Sequence, residues 1–243
     1  MWNVLALPRR TSKARIPDGM RIYAVGDVHG RADLLEPLLV RIDADLAAHP
    51  ISQQVQVFLG DYIDRGPNSR EVLDLLIKRR RQREMICLMG NHETFAAEFI
   101  GNPSVWQAWK AGGGVSTLLS YGVAASLDSD PQQLSIAFGQ ALPADHSRFL
   151  ANLPLSYTCG DFFFCHAGVR PKIPLQQQRP SDLLWIRDDF ILHEEHFGKV
   201  IVHGHTPTTE PDIRPNRINI DTGAYATGRL TCLVLEGDQI RFI

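Results

Sequence analysis

Arg21-Ile22-Tyr23-Ala24-Val25-Gly26-Asp27-Val28-His29-Gly30 passes from a β-branched and aromatic run into a Gly/Asp/His cluster. Such a run predicts a strand, and the glycines around Asp27 and His29 predict a tight turn at its end. The same grammar recurs at Val55–Leu59, Met85–Met89 and Lys199–Val202. Between the first three runs lie amphipathic stretches, Ala32–Leu46 and Ser69–Arg81, long enough for crossover helices. Strand, turn, helix, strand is the βαβ pattern of a parallel sheet, so the fold class is α/β.

Outward from these units the pattern changes twice. After Asn102 comes a Gly/Trp/Ser-rich region with Trp106, Trp109, Gly112–Gly114 and Tyr121, and helical composition continues to about Leu150. It reads as a helical insert at about 102–150. From Pro154 strand-like runs return at Leu155–Thr158, Phe162–Cys165, Arg217–Ile220, Leu230–Leu235 and Gln239–Ile243, and these predict a second, more antiparallel sheet. The expected whole is a two-sheet β-sandwich flanked by helices, one domain over 19–243. Residues 1–18, with Arg9, Arg10, Lys13 and Arg15, read as a loosely held basic N-terminal arm.

With 243 residues, 44% hydrophobic and 21% charged, the chain can bury a substantial core, which excludes disordered and fibrous classes. A net charge of −2 supplies no global field to draw it onto nucleic acid or an anionic membrane. No apolar run reaches the roughly 18 residues of a membrane span, and Met1–Leu7 is short for a signal-peptide core, so a cytoplasmic protein is expected. Cys87, Cys159, Cys165 and Cys232 form no C-x-x-C pair and sit in or beside apolar runs, which predicts buried free thiols.

The strand ends carry Gly26-Asp27-Val28-His29-Gly30, Gly60-Asp61-Tyr62-Ile63-Asp64-Arg65-Gly66, Gly90-Asn91-His92-Glu93, His166-Ala167-Gly168 and Gly204-His205-Thr206. Loops at the carboxyl ends of parallel strands are where an open α/β sheet gathers its site. Asp27, His29, Asp61, Asn91, His166 and His205 offer carboxylate, imidazole and amide ligands, a mixture suited to Mn²⁺, Fe or Zn²⁺ rather than Ca²⁺. Two divalent cations about 3.5–4 Å apart can share one carboxylate and a water that attacks phosphorus in line. Asp61 is the natural bridge.

These five clusters, in this order from Gly26 to Thr206, resemble the signature of the serine/threonine phosphoprotein phosphatase family, in its bacterial and bacteriophage form, within the calcineurin-like metallophosphoesterases. The resemblance implies two divalent metal ions, with Mn²⁺ the first expectation and Fe or Zn²⁺ the alternatives. It implies that Asp27, His29 and Asp61 hold the first, and that Asp61, Asn91, His166 and His205 hold the second. It casts His92 as the general acid, Asp64 as its orienting carboxylate and Arg65 as a phosphate clamp. Arg187, in Leu183-Leu184-Trp185-Ile186-Arg187, resembles the arginine of a Trp-x-Arg segment and is the expected second clamp. The chemistry independently wants an acid, because an ester leaving group departs as an alkoxide unless protonated.

The implied function is a metal-dependent phosphomonoester hydrolase, first a serine/threonine protein phosphatase acting on a phosphorylated protein or a small phosphoester. The alternative is a diadenosine tetraphosphate or nucleotide-cap hydrolase. A non-catalytic scaffold is a further alternative, disfavoured because all six ligands and His92 are present. Neither a nucleic-acid partner nor a membrane is expected. Asp221 is open to two readings, a hydrogen-bond partner for His205 or His29 and a plain strand-end residue; His203 reads as a packed strand histidine, and Lys78–Arg83 as a solvated helix end. Trp106, Trp109 and Gly112–Gly114 read as packing of the insert, with lining of the substrate cleft as the alternative.

Overall fold

A computed structural model describes residues 13–126 and 129–243. The first sheet has strand order β10-β9-β1-β2-β3, built from β1 (Met20–Val25), β2 (Gln53–Phe58), β3 (Met85–Cys87), β9 (Cys232–Glu236) and β10 (Gln239–Phe242). The second has order β4-β5-β6-β8-β7, from β4 (Ser156–Cys159), β5 (Phe162–Cys165), β6 (Val200–His203), β7 (Asp212–Ile213) and β8 (Arg217–Asn219). Helices α1 (Ala32–Ala48) and α2 (Ser69–Arg80) are the crossovers between the parallel strands β1, β2 and β3. The α/β two-sheet sandwich expected from the sequence is therefore the fold.

Side-chain alternation along the strands makes four layers. Ile22 and Ala24 of β1 point between the sheets and meet Phe162, Phe164, Val200 and Val202. Tyr23 and Val25 point the other way, into a cluster with Leu35, Leu38 and Leu73 from the helices. On the outer face of the second sheet Phe163, Cys165 and Ile201 pack with Leu183 and Phe190.

Two strand assignments differ from expectation. The runs near Leu230–Leu235 and Gln239–Ile243 join the first sheet, where β9 pairs antiparallel with β1 in the register Ile22↔Leu235. The second sheet is consequently no more antiparallel than the first, since β5, β6 and β8 run parallel. Run composition states that a segment will pair; it does not state which free edge it will find, and β1 had one.

The region after α3 (Asn91–Phe99) holds α4 (Trp106–Gly112), α5 (Gly114–Ser120), α6 (Pro131–Ala141) and α7 (Ala144–Ala151). Trp106, Trp109, Tyr121 and Phe138 are buried in the same core as the first sheet, so these helices continue that core. Of the basic arm, residues 1–12 lie outside the described residues. Its end is docked: Ile16 is fully buried between the sheets and its N–H donates to the Gly237 carbonyl at 3.0 Å. Arg79, within the basic run, is buried and pairs with Asp43 and Gln56. No helix among the described residues is long and apolar enough to cross a membrane.

All four cysteines are buried and free. Burial raises every thiol, Cys87 to about 12, so little thiolate exists at neutral pH. A thiol-exchange titration should find essentially no fast-reacting group in the native protein and four after unfolding in guanidinium.

Candidate metal centre

Carboxyl ends of strands from both sheets converge on one buried cluster. Asp27 and His29 follow β1, Asp61 and Asp64 follow β2, Asn91 and His92 open α3, His166 follows β5 and His205 follows β6. All eight are buried. Six described non-glycine residues have left-handed φ, and all but Lys172 belong here: His29, Asp61, Asp64, Arg65 and His205. Each such residue costs on the order of 1–3 kcal/mol, which the surrounding contacts must offset.

Asp61 occupies the centre. Its Oδ2 lies 3.4 Å from His29 Nε2 and its Oδ1 3.4 Å from His166 Nε2, one oxygen toward each side. Two groups able to hold a cation share it: His29, Asp61 and His92, and Asp61, His166 and His205. Asn91 Oδ1 sits 2.9 Å from both His166 Nε2 and His205 Nδ1. Asp27 lies beside the second group, where its Oδ2 accepts the His205 backbone N–H at 3.0 Å.

The donor set fits divalent cations on three counts. His29 Nδ1 faces the Ile63 carbonyl at 2.9 Å and His166 Nδ1 the Leu59 carbonyl at 3.0 Å, contacts that place the protons there and leave both Nε2 lone pairs for a metal. Burial keeps the imidazoles neutral, His29 down to about 3 and His205 to about 2, with His166 lowered too. Asp27 is pushed well above the carboxylate range by burial and by Asp221 and Asp61, and its Oδ1 has no hydrogen-bond partner. Concentrated buried carboxylates with an orphaned oxygen and neutral imidazoles are what a cation site requires.

His92 is built differently. Its Nδ1 lies 2.7 Å from Asp64 Oδ2. Burial opposes the imidazolium, but Asp61 and the Asp64 hydrogen bond carry His92 up to about 9. Cations on Asp61 would remove the first contribution and leave the second. Asp64 is in turn held by the Trp109 indole, whose N–H lies 3.0 and 2.9 Å from its two oxygens, and by the Thr117 hydroxyl at 2.5 Å. The Arg65 guanidinium lies 3.3 Å from His92 Nε2.

Four residues to which the sequence reading assigned no role at the site organise it. Glu93 accepts N–H bonds from Gly90 at 2.9 Å and from Asp61 and Tyr62 at 2.8 Å, a capping interaction whose signal was an acid three residues into a helix. Trp109 and Thr117 orient Asp64 from 45 and 53 residues away, and no local pattern announces that. Gly113, at φ 106°, lets the insert approach: a Cβ there would stand 2.8 Å from the Arg65 backbone nitrogen. The Gly-rich insert thus packs and closes the site at once.

Arg187 is exposed and its side chain makes no hydrogen bond or ion pair among the described residues, yet its charge reaches His166, His205 and Asp221. Asp221 accepts the Gly223 N–H at 2.9 Å and makes no hydrogen bond to His29 or His205 among those described. His203 is a packed strand histidine whose ring stands 4.8 Å from Phe190.

A profile of the calcineurin-like phosphoesterases matches residues 20–238. The chain belongs to that family. Family membership implies divalent metal ions and phosphoester hydrolysis. Among curated relatives, the asymmetrical bis(5'-nucleosyl)-tetraphosphatase PrpE of Bacillus thuringiensis is 27% identical over 88% of this chain and 90% of its own. That of Anoxybacillus flavithermus is 25% identical over 86% and 88%. A solved structure provisionally assigned as a diadenosine tetraphosphatase superposes with a TM-score of 0.65 at 20% identity, covering 95% of this chain and 97% of that one. A cold-active protein tyrosine phosphatase gives 0.62 at 16%, covering 94% and 78%. Both structural likenesses establish the fold.

Gly204→Ala should reduce bound metal below two equivalents without unfolding, because its Cβ would stand 2.0 Å from Asp27 Oδ1; metal analysis alongside circular dichroism checks this. Trp109→Phe removes the indole donor to Asp64, so turnover of an alkyl phosphate ester should fall about tenfold or more while metal content is retained.

Proposed function

We propose that this chain is a two-metal hydrolase of dinucleoside polyphosphates, cleaving diadenosine tetraphosphate asymmetrically into a nucleoside monophosphate and a nucleoside triphosphate. The observation that carries this reading is the end-to-end match to asymmetrical tetraphosphatases, 27% identical over 88% of this chain and 90% of theirs. It favours the dinucleotide alternative over the protein-phosphatase reading placed first on sequence.

Asp27, His29 and Asp61 would hold one cation, and Asp61, Asn91, His166 and His205 the other, with the nitrogen and oxygen donors suited to Mn²⁺ first and Fe or Zn²⁺ next. When bound, such cations polarise the phosphoryl oxygens and supply an activated water. Arg65 and Arg187 hold the phosphate oxygens, as planar guanidinium groups do with paired donors. His92 keeps its Nδ1 proton on Asp64 and delivers a proton from Nε2 to the leaving oxygen. An attacking water forms the new P–O bond and releases one proton to solvent, the bridging P–O bond breaks, and the departing phosphate takes the proton from His92, which is reprotonated from solvent. Buried free thiols agree with the cytoplasmic placement read from the sequence.

A serine/threonine protein phosphatase is the second reading, and the construction of the acid favours it. A polyphosphate oxygen leaves readily near neutral pH, whereas a serine or threonine alkoxide needs a proton, and here Asp64, Trp109 and Thr117 all serve to position the donor.

Initial rates with added Mn²⁺ on diadenosine tetraphosphate, a phosphothreonine peptide and p-nitrophenyl phosphate test the choice. The dinucleotide should show the highest kcat/KM and yield AMP and ATP; preference for the peptide, or a product of two ADP, would sink the reading. His92→Ala should cost roughly 10²–10⁴-fold on the phosphothreonine peptide and markedly less on the other two substrates, whose leaving groups need little protonation.

A further inference from the structure

Two large aromatic side chains stand exposed against the buried metal centre. Tyr225, 40% exposed, packs its ring 5.5 Å from His29, and Trp185, 44% exposed, stands 6.2 Å from His205. Each touches a histidine of a different cation group. The two are not equivalent. Arg65 already lies over the Tyr225 ring at 4.5 Å, so Tyr225 braces the guanidinium. Trp185 has no cation over its ring among the described residues; it meets Phe95 and His205 in edge contacts at interplanar angles of 80° and 83°.

Trp185 is also held firmly. It ends α8 (Pro180–Trp185), whose Leu183 and Leu184 are buried, and Ile186 beyond it is buried as well. Leaving an indole nearly half exposed between buried neighbours forgoes the burial that a core position would give it. Two residues on stands Arg187, exposed and with no hydrogen-bond or ion-pair partner for its guanidinium among the described residues. An open π surface beside His205, and a guanidinium two residues on whose charge is felt by His166 and His205, match the two features that a nucleotide combines: a flat base and a phosphate.

We propose that Trp185 is the platform on which a nucleobase of the substrate stacks, with Arg187 holding the phosphate next to it. This rests on the dinucleotide reading above and locates its specificity on the side of the second cation group. A simpler role, shielding His205 from water, would affect every phosphoester alike. Stacking affects only substrates that carry a flat aromatic group such as a base, and contributes on the order of tenfold or more in affinity.

The test compares wild type, Trp185→Phe and Trp185→Ala in the metal-loaded enzyme. KM and kcat are measured on diadenosine tetraphosphate and glycerol 2-phosphate, which has no ring to stack, and Ki for AMP and for inorganic phosphate. Trp185→Ala should raise KM for the dinucleotide about tenfold more than KM for glycerol 2-phosphate, and raise the AMP Ki by a similar factor relative to that of phosphate. Trp185→Phe should restore most of both. AMP should quench wild-type tryptophan fluorescence, and the quench should be lost in Trp185→Phe. Equal losses on both substrates, or an AMP-to-phosphate Ki ratio that does not move, would overturn the platform. Should wild type ignore the dinucleotide while AMP still quenches Trp185, the dinucleotide reading falls and the base site stands. Should the dinucleotide be cleaved with no selective effect at Trp185, the reverse holds.

Discussion

The carboxylate of Glu93, accepting N–H groups from Gly90, Asp61 and Tyr62, ties the loop after β2 to the loop after β3. Asp61 takes a φ of 50° within that clamp, and only there can its two oxygens face His29 and His166 at once. Burial and the Asp61 charge push Glu93 up to about 8, against the N–H donors that favour its ionised form. Cations at Asp61 would weaken that repulsion and favour the ionised form of Glu93 that the three N–H groups hold.

A second dependence runs through the helices after α3. Trp109 and Thr117 reach Asp64, and Ser116 donates to the Arg65 carbonyl at 3.1 Å. His92 is thereby positioned, through Asp64, by a region that contributes none of the clustered donors. Because Trp109 also packs 5.1 Å from Phe99 and 5.5 Å from Phe138, movement of the aromatic core would be felt at His92. Packing in the first core and the orientation of His92 are mechanically joined.

Charge explains why the centre is assembled from both sheets. Asp27, Asp61 and Asp221 are all buried; Asp61 and Asp221 raise Asp27 and Asp61 raises Asp221, while Asp61 itself is held low by the histidines around it, and the guanidinium groups of Arg65 and Arg187 supply nearby positive charge. One strand end could not present so many ligands; five ends meeting at one edge of the sandwich can. The exposed rings of Trp185 and Tyr225 then border a centre whose ligands are out of water, which strengthens every electrostatic contact there.

Strand ends, the candidate donor residues and the α/β class were legible in the sequence, because alternation and Gly-flanked Asp, His and Asn clusters are local signals that survive without coordinates. Asp27, His29, Asp61, Asn91, His166 and His205 could be named together for that reason, and His92 with Asp64 likewise. Tertiary structure alone decided that β9 and β10 complete the first sheet, that Ile16 is buried between the sheets, and that Trp109 and Thr117 hold Asp64. It also decided that Tyr225 lies under Arg65 while Trp185 stays open beside His205. Each of these is a choice of partner between distant segments, set by which edge, face or cavity the folded chain leaves available, and residue spacing along the chain carries no record of it.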